Sequence, residues 1–146
     1  MKISDLLSPA DVMIDVRASQ KGPLLRELAA RAAASFSLPA DQVTSHLLKR
    51  EELGSTGTGN GIAIPHARLT GLQRPHGLLV KLKQGIEFDA IDRRPVDLVF
   101  VLLLPAAAEN DALAALALVA RTLRSPDTLV RLRAAKTPAE LHVAIA

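Results

Sequence analysis

The residue in this 146-residue chain best placed for chemistry is a histidine that follows a proline at the end of a glycine-rich stretch. The stretch reads Arg50-Glu51-Glu52-Leu53-Gly54-Ser55-Thr56-Gly57-Thr58-Gly59-Asn60-Gly61-Ile62-Ala63-Ile64-Pro65-His66-Ala67-Arg68. A neutral imidazole nitrogen can accept a phosphoryl group in line and release it later, and Pro65 restrains the chain just before it. Which ring nitrogen reacts is left open by the sequence. Glycine permits positive φ and close backbone approach, so a loop this rich in it can turn several N–H groups toward one anion. A transferring phosphoryl group spreads negative charge over its oxygens, and the protein's task is positioning and electrostatic stabilisation. The expectation is that backbone N–H groups from Gly57 to Gly61 (Gly57, Gly59, Asn60 and Gly61), the hydroxyls of Ser55 and Thr56, and the guanidinium of Arg50 serve a phosphoryl group on His66. Two accessory candidates stand beside these: Arg68, which flanks the stretch, and His76, which precedes Gly77 at a strand start. His46 and His142 read as packing or surface residues.

Two common phosphate loops are excluded by spacing. A P-loop needs lysine where Asn60 stands, six residues after Gly54. A dinucleotide loop needs G-x-G-x-x-G between a strand and a helix, whereas here the order is G-x-G-x-G after a helical pattern. No H-x-x-x-H pair or carboxylate–histidine cluster suggests a metal, and no cofactor is implied.

The string R-E-x-x-G-S-T-G-x-G-N-G-I-A-I-P-H resembles the active-site signature of enzyme IIA of the phosphoenolpyruvate-dependent phosphotransferase system, fructose/mannitol class. Phe88-Asp89-Ala90-Ile91-Asp92, Pro95-Val96-Asp97-Leu98 and Leu132-Arg133-Ala134-Ala135 are similar to the nitrogen-related branch of that class. The resemblance implies that His66 carries the phosphoryl group. It implies a stand-alone phosphocarrier charged by an HPr-like histidine phosphocarrier protein, signalling to regulatory target proteins through phosphorylation-dependent contacts. Delivery to a fructose/mannitol-type sugar transporter is the alternative within the class. A module that only binds an anion or a partner, never phosphorylated, is the alternative outside it. One departure stands out: the family's second histidine, in a D-H-L string, is replaced here by Asp111-Ala112-Leu113.

Composition narrows the class. Hydrophobic residues make up 49% of the chain, which excludes a disordered polymer, and the absence of cysteine excludes disulfides, thiol nucleophiles and iron–sulfur clusters. The start of the chain lacks a signal-peptide core, and the apolar run Leu98–Leu104 is far short of the ~20 residues a membrane helix needs. A cytoplasmic protein with no membrane insertion is expected. The net charge of +3 invites a nucleic-acid reading, but the basic residues are dispersed and only Phe36, Phe88 and Phe100 are aromatic, so no stacking platform exists. Nucleic acid is not an expected partner.

The positioning elements follow from periodicity. Val12–Val16 reads as a strand, and a helix begins near Pro23, capped by Ser19, with an apolar stripe at Leu24, Leu25, Leu28, Ala29 and Ala32. A second helix covers Ala40–Leu53 with Val43, Leu47 and Leu48 inward, ended by Gly54; His46 and Arg50 share another of its faces. Gly77–Leu82 and Ile86–Phe88 read as strands around a turn at Gln84-Gly85, and Val96–Leu104 as a central strand buried on both faces. A helix over Ala112–Arg124 places Leu113, Leu116, Val119, Ala120 and Leu123 on its core side. Shorter helices follow Pro126 and Pro138. The alternation predicts one α/β domain over residues 1–146, with helices flanking a central mixed sheet.

Overall fold

Strand β6 (Val96–Pro105) is the spine of the molecule in the computed structural model, which describes residues 1–146. Nine of its ten side chains are buried, because it is paired on both sides and covered on both faces. On one side lies β5 (His76–Ile86), antiparallel to it, and beyond that β1 (Val12–Val16), parallel to β5. On the other side two short parallel segments share the edge: β3 (Ile62–Ala63) beside Leu98 and Val99, then β4 (His66–Leu69) beside Leu102 to Pro105. A last strand, β2 (Gly57–Gly59), runs antiparallel to β3. The expected mixed sheet flanked by helices is the fold observed.

Alternation along the strands divides the core in two. Leu98, Phe100, Leu102 and Leu104 point to one face, with Ile62 and Ile64, and meet α1 (Ile3–Leu6), α4 (Glu109–Arg124), α5 (Pro126–Ala134) and α6 (Pro138–Ile145). Val99, Val101 and Leu103 point to the other, with Ala63, Ala67 and Leu69, and meet α2 (Lys21–Phe36) and α3 (Ala40–Glu52). This is the period-two rule for strands applied to a sheet covered on both sides. No helix is long and apolar enough to cross a membrane.

Several boundaries differ from the sequence reading. Helix α2 starts at Lys21, before Pro23, and its N-cap is Gln20 rather than Ser19. The turn expected at Gln84-Gly85 is absent: β5 continues to Ile86 with a register irregularity after Lys81. Gly85 serves close packing there, since a Cβ on it would lie 2.9 Å from Pro95 Cβ. Helix α4 begins at Glu109, three residues early, with Glu109 and Asp111 in its first turn, where the helix dipole favours negative charge. Its buried stripe is Ala112, Ala115, Val119 and Leu123, while Leu113 is exposed. Leu116, Val119, Ala120 and Leu123 pack on the core as expected, and Leu113 alone was misplaced, with Ala112 and Ala115 taking the inward positions. At the C-terminus of α5, Lys81 Nζ reaches from β5 to donate to the carbonyls of Leu132, Arg133 and Ala135, capping acceptors at the helix end.

Candidate functional site

His66 stands at the start of β4, on the edge of the sheet beside Leu102. Its Nδ1 lies 2.9 Å from the carbonyl oxygen of Ile64, two residues back across Pro65. That oxygen can only accept, so Nδ1 carries the proton, and Nε2 is left with its lone pair. The ring is partly buried. Burial holds its pKa below the ordinary histidine value of 6.5, and the Arg50 charge adds to the depression; the Ile64 carbonyl and the Glu51 charge oppose it. The imidazole is therefore neutral near pH 7 and able to act as a nucleophile.

The ring lines an open cleft of about 550 Å³ together with His46, Lys49, Arg50, Leu53 and Arg68. Helix α3 delivers His46, Lys49 and Arg50 to it from its last turns. Arg50 Nη1 donates to the carbonyl of Gly54 at 2.8 Å, bridging the end of its own helix, and keeps its remaining N–H groups for another acceptor. Arg68, the accessory candidate, donates to Ala106 O at 3.0 Å and lies 3.8 Å from Glu109, which ties β4 to the start of α4. His46 Nδ1 is 2.8 Å from Gln42 O within its own helix.

Much of the glycine-rich stretch, expected from its composition to cradle an anion, is engaged in the protein's own hydrogen bonds. It is a β-hairpin, β2 and β3, joined by a two-residue turn at Asn60 and Gly61 with φ of +57° and +79°. Asn-Gly is the preferred pair for a turn with positive φ at both positions. Four of the donors the stretch was expected to offer have partners within the protein. Ser55 Oγ donates to Phe88 O, and Thr56 Oγ1 to Glu51. Gly57 N–H donates to Ser55 Oγ, and Asn60 N–H to Asp92. The tip points away from His66, because Ile62 pairs with Leu98 and His66 with Leu102, a separation of about 13 Å at the usual strand rise. Gly61 instead packs beside Asp97 and Arg133, and Arg133 also donates to Asn60 O. Of the residues named from sequence, Arg50 and Arg68 share the His66 cleft, Ser55 and Thr56 lie at the near end of the hairpin, and Gly57, Gly59, Asn60 and Gly61 build its far end.

His76 is corrected outright. It stacks on Phe36 of α2, centroids 4.4 Å apart, and follows the parity of Leu78 and Val80, which face the α2–α3 core. His66 is beyond β6 from it. Ala112, where the resemblance leads one to look for a second histidine, lies in the first turn of α4 on its buried face. His142 Nε2 is 3.2 Å from Leu7 O, which holds α6 to the N-terminal segment. No three His, Cys, Asp or Glu side chains converge so as to hold a metal ion.

Sequence reasoning missed Glu51 and Lys21. Glu51 is a charged residue buried in the last turn of α3, bonded to Thr56 and to Lys21 of α2. Burial works against the Lys21 ammonium, but its bonds to Asp89 and Glu51 outweigh that and hold its pKa above the ordinary lysine value of 10.5. The signal available in sequence was the R-E-x-x-x-x-T spacing, which brings a helix-end carboxylate back to a hydroxyl past the turn.

The family model described as phosphoenolpyruvate-dependent sugar phosphotransferase system, EIIA 2, matches residues 5–146. The chain is 40% identical over 146 residues to a nitrogen regulatory protein of Bradyrhizobium diazoefficiens, covering all of this chain and 95% of that one. It is 41% identical over 143 residues to the nitrogen regulatory protein of Escherichia coli, covering 97% and 88%. The crystal structure of nitrogen regulatory protein IIA-Ntr from Neisseria meningitidis superposes with a TM-score of 0.91 at 30% identity, over 99% of both chains.

Proposed function

Because the chain belongs to the EIIA 2 family of the phosphoenolpyruvate-dependent phosphotransferase system, we propose that His66 is its phosphoryl acceptor and that the acceptor atom is Nε2. The chain is a IIA-type phosphocarrier and regulatory protein of the nitrogen-related branch. Its donor is of the HPr type. The observation that carries the assignment of the atom is the 2.9 Å contact between His66 Nδ1 and Ile64 O.

The Nε2 lone pair attacks the phosphorus of the donor's phosphohistidine in line. The donor's P–N bond breaks as the new P–Nε2 bond forms, and the positive charge that develops on the His66 ring is shared with Ile64 O through Nδ1–H. Arg50, which lines the same cleft, pairs with the phosphoryl oxygens as charge spreads over them. Ser55 and Thr56 act indirectly, by fixing the turn after α3. Gly57, Gly59, Asn60 and Gly61 shape the hairpin. Phosphorylation adds negative charge to a cleft whose charged lining is Lys49, Arg50 and Arg68 against one carboxylate, Glu52. A regulatory target that reads this charge distinguishes the two states. Similarity to nitrogen regulatory proteins over the full chain favours this regulatory reading over supply of a sugar transporter.

Incubation with phosphoenolpyruvate, enzyme I and an HPr-type donor, followed by intact-mass measurement, tests the reading. One phosphoryl group per chain is expected, lost in acid, with the 15N signals of His66 placing it on Nε2. An unmodified mass, or a link through Nδ1, rejects it.

A further inference from the structure

A hydrogen-bonded chain runs from helix α2 to the reactive imidazole. The Glu51 side chain is only 5% exposed, and a carboxylate so buried is strongly disfavoured unless it is paired and bonded. Lys21 Nζ supplies the counter-charge at 3.1 Å, and Thr56 supplies its backbone N–H at 3.1 Å and its hydroxyl at 2.6 Å. The ammonium has two further acceptors, Phe88 O at 3.3 Å and Asp89 Oδ2 at 3.0 Å, so its three N–H bonds are all used. The carbonyl of Thr56 in turn accepts the N–H of Ile64 at 3.0 Å. The carbonyl of Ile64 is the group that accepts Nδ1–H of His66.

We propose that Lys21 and Glu51 are positioning residues for phosphoryl transfer at His66, acting through Thr56 and Ile64 on the carbonyl that orients the imidazole. The proposal rests on His66 being the acceptor. Glu51 grips Thr56 on the far side of the Leu53–Ser55 turn, and Thr56 fixes Ile64 through the backbone. Ile64 O then holds the ring in the Nδ1–H tautomer, with Nε2 turned to the cleft. Glu51 also follows Arg50 in α3, so the same grip sets the helix end that carries the guanidinium. A ring free to adopt the other tautomer presents a protonated Nε2, which is no nucleophile.

Three variants and one control test this. Thr56→Val keeps shape and removes the hydroxyl bond, Thr56→Ser retains it, and Lys21→Met removes the counter-charge. Val119→Ala, on the buried face of α4, supplies a fold weakened elsewhere. Thr56→Val and Lys21→Met are expected to slow transfer from an HPr-type donor by about tenfold, to raise the Nε2–H tautomer of His66 in imidazole 15N–1H spectra, and Thr56→Ser to restore both. Val119→Ala lowers the melting temperature and leaves rate and tautomer alone. A folded Thr56→Val protein with wild-type rate and tautomer overturns the proposal. Should wild-type protein take no phosphoryl group, the acceptor assignment falls, and the tautomer spectra then decide the Lys21–Glu51 grip by themselves.

Discussion

The two ends of the glycine-rich segment do different work, although one run of sequence covers both. At the near end, Arg50 to Thr56 form the close of a helix and a turn whose bonds converge on a buried carboxylate and, through Ile64, on His66. At the far end, Gly57 to Gly61 form a hairpin tip that packs on Ala90, Asp92, Asp97 and Arg133. Glycine is needed there for close packing and positive φ: a Cβ on Gly57 would sit 2.8 Å from Ala90 Cβ, and one on Gly61 2.5 Å from an Arg133 nitrogen. Glycine enrichment therefore marks tight backbone geometry, and only the hydrogen-bond inventory tells whether its N–H groups are free for a ligand.

The largest expected effect is at the near end. His66→Ala abolishes phosphoryl uptake completely, as intact-mass measurement after incubation with the donor system reads directly. Uptake that persists in this variant moves the chemistry elsewhere and dissolves the contrast between the two ends.

Arg50→Gln is next. Losing a charge-assisted bond to the phosphoryl oxygens costs roughly 1.5–3 kcal/mol, a slowing of about ten- to a hundredfold. The same variant sharpens the electrostatics. Folded His66 binds its proton less tightly than the unfolded chain does, so between its depressed midpoint and 6.5 the unfolded chain holds more protons. Its contribution to stability accordingly rises with pH through that window and is level above 6.5; acidification below it works against the fold. Arg50→Gln moves the midpoint upward, because it removes one of the two causes that depress it. An NMR titration that finds the midpoint unmoved separates Arg50 from the ring.

At the far end the sign of the expectation changes. Gly61→Ala introduces a side chain at φ +79° against Arg133 and Asp97, and lowers stability by about 1–3 kcal/mol in urea denaturation. Transfer per folded molecule stays within about twofold of wild type. A well-folded Gly61→Ala protein that no longer accepts phosphoryl groups returns the tip to the site.

The unequal legibility of these regions has a physical cause. Strands β1 and β6 and helices α3, α5 and α6 were readable because apolar period, proline starts and a glycine stop all agree locally. His66 stood out as the acceptor candidate because Pro65-His66 closes an unusual motif. The hairpin was not, since Asn60-Gly61 is a turn signal hidden among glycines that also fit an anion loop. Lys21 and Glu51 lie 30 residues apart, and their pairing exists only once α2 packs on α3. The continuity of β5 past Gly85 was equally out of reach, because it depends on Pro95 lying against a residue without a side chain.

The smallest effect concerns the second imidazole. His76 has the chemistry for an accessory role and lies only ten residues from His66, so sequence distance alone keeps it a candidate. Its position removes it: it faces the α2–α3 core, stacked on Phe36, with β6 between it and the cleft. Burial and the nearby Arg74 hold its pKa below 6.5, with Asp11 opposing, so it is a neutral ring packed on another ring. Such a stack contributes about 0.5–1.5 kcal/mol beyond its buried area. His76→Ala should lower the melting temperature by roughly 2–4 °C for each kcal/mol lost and leave transfer to His66 unchanged. Stopped-flow mixing with the phosphorylated donor checks the second half. A rate that falls in His76→Ala while Phe36→Leu, which removes the same stack, stays at the wild-type rate would give the imidazole a part in transfer despite the sheet between them.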